Sequence, residues 1–210
     1  MIRKLLFATN NAHKLAEVQA VLGDAFALTT PRACGVTEEI PETCDTLEGN
    51  ASQKARYLRD RVGLDCFADD TGLEVDALGG APGAHAARYA CDVALRDGLH
   101  MPADHDFEAN IDTLLNELGK HPGAPRTARF RSVVTLLYGQ RTLQFEGILE
   151  GRIAFGRSGG GGFGYDPVFI ADEYPGCSLA ELPEEVKNAI SHRGKALRAM
   201  ARWLKNNSRL

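Results

Sequence analysis

The alternation of apolar and polar positions predicts short strands punctuated by helices. Ile2–Ala8 is a brief apolar run that reads as a first strand, and it stops at Thr9-Asn10-Asn11, residues that favour turns and helix caps. Apolar residues at Leu15, Val18, Ala20, Val21 and Leu22 predict an amphipathic helix over Ala12–Leu22. Phe26–Thr30 suits a second strand. Thr37–Thr46 is acidic, holds a proline and reads as loop. Ala51, Ala55, Leu58 and Val62 mark the buried stripe of a helix over Leu47–Val62.

The run Cys66-Phe67-Ala68 then meets two adjacent carboxylates, Asp69 and Asp70. Thr71-Gly72 is expected to turn the chain there, and Gly79-Gly80-Ala81-Pro82-Gly83 to close the unit. His85–Tyr89 suggests a short helix. Cys91–His105 lacks a clear period and reads as a surface excursion. Phe107–Leu118 regains helical spacing. Thr127–Tyr138 and Arg141–Leu149 read as strands paired across Gly139-Gln140, and Gly151–Phe155 continues the β region. Val168–Ile170 is the last expected strand. Ser178–Glu181 and Pro183–Ala189 look helical. A final helix follows, capped by Ser191, with Leu197, Met200, Ala201 and Leu204 on its core face.

Composition narrows the function classes. The chain has 210 residues, 44% hydrophobic and 25% charged, enough for one large domain or two intimate lobes with a core that needs no staples. Its net charge is −4 and no basic block stands out, which argues against nucleic-acid polymers as partners. Five cysteines, an odd number with no Cys-x-x-Cys pair, argue against a disulfide framework or a zinc site and suit a cytoplasmic protein. The apolar run Leu5–Ala8 is too short for a signal-peptide core, and no stretch is long enough for a membrane span.

Chemistry concentrates in the turns. Thr9–Lys14 joins a strand to a helix, where backbone N–H groups and the Lys14 ammonium favour anions. Asp69 and Asp70 at a strand end need a cation, a set of N–H donors or water; capping a turn is the plain alternative. Ser158–Gly164 is the most glycine-rich stretch, which permits close backbone approach to a ligand, and it is not a Walker A loop. His192 and Arg193 lie in the first turn of the final helix. Cations there oppose the helix dipole, and an anion held between them would offset that cost. Acids suit a hard divalent metal, and cations with glycine-rich backbone suit phosphates.

In combination, these segments resemble the inosine triphosphate pyrophosphatase family, the Ham1-like dITP/XTP diphosphatases. The matching motifs are ATNNAHK at 8–14, ETCDTLEGNASQKA at 42–55, FADDTGLEVDALGGAPG at 67–83, GGFGYDP at 161–167 and KNAISHRGKAL at 187–197. The resemblance implies one such domain over residues 1–210, of α/β class: an elongated mixed sheet flanked by helices, two lobes with a central active-site cleft. It implies Mg²⁺-dependent hydrolysis of deaminated purine nucleoside triphosphates (ITP, dITP, XTP) to monophosphate and pyrophosphate, by a homodimer. It assigns Asp70 as proton acceptor, and Glu42 with Asp70 as metal-site acids. Substrate contacts fall on Thr9, Asn10, Asn11, Ala12, His13, Lys14, Lys54, Thr71, Phe163, Gly164, Tyr165, Asp166, Lys187, His192 and Arg193.

One departure stands out: many members carry a glutamate directly before the asparagine of the second motif, where this chain has Gly49-Asn50. From the residues themselves, either Asp70 or Asp69 can accept the proton of an attacking water. Phe163 and Tyr165 are expected to cover the base face, and backbone near His192-Arg193 to read its 6-oxo edge. Two rivals remain, a Maf-like house-cleaning pyrophosphatase and a non-catalytic nucleotide sensor.

Overall fold

The computed structural model describes residues 3–9, 15, 18, 19 and 22–207. Strands β1 (Arg3–Phe7), β2 (Phe26–Thr29), β3 (Cys66–Val75), β4 (Pro82–Gly83), β5 (Thr127–Tyr138), β6 (Arg141–Ile153) and β7 (Phe169–Ala171) form one sheet in the order β2-β1-β3-β5-β6-β7, with β4 beside β3. The sheet is mixed: β1 runs parallel to β2 and β3, while β4 lies antiparallel to β3 and β7 to β6. Helices α1 (Leu47–Val62), α2 (Tyr89–Asp97), α3 (Phe107–Gly119), α4 (Glu184–Ile190) and α5 (His192–Asn207) complete the frame. Leu15, Val18, Gln19 and Leu22 are helical too, as their spacing predicts.

The chain divides into two compact units. The first comprises Met1–Asp70, Ser132–Gly147 and Arg193–Leu210; the second comprises Thr71–Arg131 and Ile148–His192. Strand alternation builds two cores in the first unit. Leu5, Phe7, Phe67, Val134 and Leu136 point one way and pack with Ala196, Leu197, Met200 and Leu204 of α5. Leu6, Cys66, Ala68 and Leu137 point the other way and pack with Ala55 and Leu58 of α1. Rings of Phe7 and Phe67, on the paired strands β1 and β3, stack with centroids 4.4 Å apart.

Helix α1 begins where the sequence predicts because the Thr46 hydroxyl accepts the Gly49 N–H at 3.1 Å. It ends on Gly63, at φ +72°. The second unit has its own core, where Leu73 and Val75 of β3 meet Ile111, Leu114 and Leu118 of α3, with Leu149, Ile153 and Phe169.

Two expectations are corrected. Thr71-Gly72 does not turn the chain, because β3 runs unbroken from Cys66 to Val75 and both aspartates lie inside it. Leu73 and Val75 are fully buried, and burying them in an extended register outweighs the local turn preference of Asp and Gly. Cys91–His105 is not wholly an irregular excursion, since its first part belongs to α2. That helix buries only Tyr89, Ala90 and Ala94 and leaves Leu95 74% exposed, so its apolar period is blurred. Ser191 is the single non-helical residue between α4 and α5.

Candidate functional site

The first unit gathers a charged cluster on the α1 face of β3. Side chains alternate along a strand, so Asp70 shares that face with Cys66 and Ala68. Lys54, two turns into α1, places its Nζ 2.9 Å from Asp70 Oδ1 and 2.9 Å from Glu42 Oε1. Asn50, one turn earlier on the same helix face, donates from Nδ2 to Asp70 Oδ2 at 3.2 Å. Its Oδ1 accepts the Cys44 N–H at 2.9 Å and so fixes the loop that carries Glu42.

Lys54 and Asp70 are buried, and Glu42 is half exposed. Burial pushes the Asp70 carboxyl above the ordinary aspartate range, and the Lys54 ammonium pulls it back without cancelling that rise. Burial also opposes the charge on Lys54, but the carboxylates of Asp70 and Glu42 outweigh it and hold the ammonium protonated above its ordinary value.

Glu42 and Asp70 thus converge on one cation. Two hard carboxylate oxygens facing one positive charge fit Mg²⁺, which takes one or two carboxylates and fills its octahedron with water and substrate phosphate. Among the described residues, no group of three or more His, Cys, Asp or Glu side chains could hold a metal unaided.

The other face of β3 carries Asp69. Its Oδ2 accepts from Arg193 Nε at 2.8 Å, and its side chain is only 4% exposed. Arg193 lies in the first turn of α5, so the anion expected to offset a cation there is supplied by the protein's own strand.

The second unit gathers a different cluster on a turn. Asp166 Oδ2 accepts from Lys187 Nζ at 3.3 Å and from the Phe163 N–H at 3.3 Å. Burial raises the Asp166 carboxyl above its ordinary range, and Lys187 opposes this. Gly162, at φ +80°, closes the turn: a Cβ there would lie 2.1 Å from Asp166 Oδ2 and 2.8 Å from Lys187 Nζ. Phe163 is held out at 68% exposure, and Gly164 follows at φ +59°.

Tyr165 departs from expectation. Its ring is buried in the core of the second unit and its hydroxyl donates to the Ala86 carbonyl at 2.8 Å, so its side chain does not cover a base. His192 stacks on Phe130 with centroids 5.0 Å apart. Thr9 and Thr71 are half-buried. Asn10, Asn11, Ala12, His13 and Lys14 lie outside the described residues.

Sequence reasoning missed Asn50, which is 2% exposed and shares the buried stripe of its helix with Lys54 and Leu58, four and eight residues on. The departure at position 49 has a local cause. A Cβ on Gly49 would come within 2.7 Å of Cys44 Cβ and 2.9 Å of Thr46 Oγ1, so this loop does not accommodate a glutamate there.

Comparison with known proteins finds relatives over nearly the whole chain. A dITP/XTP pyrophosphatase of Porphyromonas gingivalis is 47% identical over 203 residues, covering 97% of this chain and 98% of that protein. A protein of the same description from Flavobacterium johnsoniae is 43% identical over 94% of this chain and 95% of its own length. A HAM1 protein structure from Coxiella burnetii superposes with a TM-score of 0.86 at 34% identity, covering 97% of this chain and 99% of that one. The Staphylococcus aureus Ham1 structure gives a TM-score of 0.85 at 32% identity, covering 97% and 99%. The Ham1 family model matches residues 5–203, and the chain belongs to that family.

Proposed function

We propose that the protein is a Mg²⁺-dependent nucleoside triphosphate pyrophosphatase. It hydrolyses ITP, dITP and XTP between the α and β phosphates, removes deaminated purines from the nucleotide pool, and works as a single catalytic domain. The observation that carries this reading is the buried Asp70 carboxyl, raised above its ordinary range and set beside Lys54 and Glu42. Relatives named dITP/XTP pyrophosphatase align over nearly the whole chain and support the substrate class.

Phosphoryl transfer to water needs orientation, charge neutralisation and a base. Asp70 is the base. Its raised affinity for a proton makes it a stronger acceptor than an ordinary aspartate, and the Lys54 ammonium beside it favours the charged form. Asn50 and Lys54 each bond one of its oxygens and fix its orientation. Lys14, Lys54 and Lys187 meet the triphosphate charge. Glu42 and Asp70 would hold Mg²⁺, which when bound would supply neutralisation of phosphate charge and polarisation of the scissile bond.

Phe163 offers its exposed ring to the base, and the backbone of Gly164, Tyr165 and Asp166 lines the same turn. Groups at His192 and Arg193 read the 6-oxo edge. The family resemblance supports a cytoplasmic homodimer, to be checked by light scattering. No helix of the described residues is long and apolar enough to cross a membrane.

The test is pyrophosphate release from ITP, XTP, dITP, GTP, ATP and pyrimidine triphosphates. ITP and XTP are expected to exceed ATP by about 10⁴-fold in kcat/KM, because a 6-amine and bare N1 leave the site's own groups unpaired. GTP shares the 6-oxo edge and should be rejected less strongly. Removing Mg²⁺ with a chelator should abolish release, and adding it back should restore it. Equal rates on ATP and ITP would reject the purine-edge reading. A preference for pyrimidine triphosphates would favour the Maf-like alternative.

A further inference from the structure

Asp69 and Asp70 are neighbours in sequence with separate partners. Strand alternation sends Asp70 to the α1 face, onto Lys54 and Asn50, and Asp69 to the α5 face, onto Arg193. Arg193 keeps a 17% exposed side chain, while the Asp69 carboxylate beneath it is almost wholly covered. A guanidinium does not release its proton, so Asp69 faces a permanent cation. Asp70 faces a half-exposed second acid, Glu42, through Lys54.

We propose that Asp69 is a positioning residue for substrate recognition: it anchors Arg193 at the head of α5. This rests on the pyrophosphatase reading and on Arg193 as a substrate contact. Three features support it. Nε is the guanidinium atom bonded to Asp69, which leaves the terminal nitrogens to serve another acceptor. Arg193 lies against the helix dipole and requires an anion there, which Asp69 provides before any substrate arrives. The strand that holds Asp69 is paired with β1 and packed in the core, so the anchor is rigid.

The experiment is a double-mutant cycle in the full-length protein with Mg²⁺: Asp69→Asn, Arg193→Gln, and both together, assayed for pyrophosphate release from ITP across pH. Asp69→Asn should raise KM about tenfold, the scale of one charge-assisted hydrogen bond, with a much smaller fall in kcat. The double variant should be no worse than Arg193→Gln alone, since Asp69 acts through that residue. The acid limb of kcat/KM should stay where the parent has it.

Independent, multiplying losses would overturn the proposal. So would a collapse of kcat with loss of the acid limb in Asp69→Asn, which would make Asp69 the base. Should Asp69→Asn melt below the assay temperature, Asp69→Glu replaces it: a raised KM with kcat kept supports the positioning role, and a lost kcat overturns it. A parent that releases no pyrophosphate from ITP would instead reject the functional reading, and this role with it.

Discussion

Each unit of the molecule pairs an aspartate with a lysine, and the two pairs are built differently. Asp70 and Lys54 stand on a ten-residue strand and a sixteen-residue helix, 2.9 Å apart, with Asn50 and Glu42 completing the cluster. Asp166 and Lys187 stand on a 3₁₀ turn and a seven-residue helix, 3.3 Å apart, and depend on a glycine that tolerates a positive φ. Burial raises both carboxyls. Regular elements fix a side chain by many shared backbone hydrogen bonds, whereas a turn fixes it by a few local ones. The first pair suits chemistry that depends on orientation. The second suits recognition, where a turn adapts to the group it binds.

The sharpest way to break this contrast is to neutralise each aspartate. Asp70→Asn should lower kcat by roughly 10²–10⁴-fold, the range for loss of a general base, and weaken Mg²⁺ binding further. It should not melt below the parent at neutral pH. The sign follows from linkage. The folded state holds the Asp70 proton more tightly than the unfolded chain, so stability is lost as pH rises through the raised value. The amide removes that loss, and Lys54 keeps Glu42 as counterion. A folded Asp70→Asn enzyme with parental kcat would refute the assignment.

Lys54→Ala should move the acid limb of kcat/KM to higher pH, because Lys54 is what restrains the Asp70 carboxyl. A pH profile with an unmoved limb would show that the two groups are not coupled in solution.

In the second unit, Gly162→Ala meets both the carboxylate and the ammonium and forces a side chain into the left-handed region. The conformational penalty alone is about 1–2 kcal/mol, and KM for ITP should rise with it. Gly160→Ala, where a Cβ meets nothing within 4 Å, is the matched control and should leave both melting and kinetics close to parental.

Thr46→Ala is the mildest probe. It removes the cap that orients α1, and should lower stability by about 1 kcal/mol in denaturant melts with little change in KM.

Much of this was readable in the chain. Helix α1 over Leu47–Val62 and strand β5 over Thr127–Tyr138 match expectation residue for residue, because a clear period marks one and a long apolar run marks the other. Glu42, Lys54 and Asp70 were named from motifs and converge on one cluster. What the sequence did not show was direction. Asp69 and Asp70 look alike until β3 is known to continue through them, and only then does alternation separate their partners. Tyr165 failed for a related reason: beside glycines it looks available, but Phe163 takes the exposed position and Tyr165 turns into the core. Asn50 lies on the buried stripe with Ala51 and Leu58, and its period was legible although its polar side chain masked it.

The bare backbone at Gly49 constrains how this protein can change over evolution. Its neighbour in space is the Cβ of Cys44, an atom every residue but glycine possesses, and the Asn50 amide holds that loop in place. No single substitution at position 49 relieves the contact, and replacing Cys44 by any other side chain leaves it unchanged. A lineage that gains a carboxylate at 49 must therefore redraw the loop that carries Glu42. The two positions therefore form an epistatic lock, and random mutagenesis by single steps should leave Gly49 untouched among active clones.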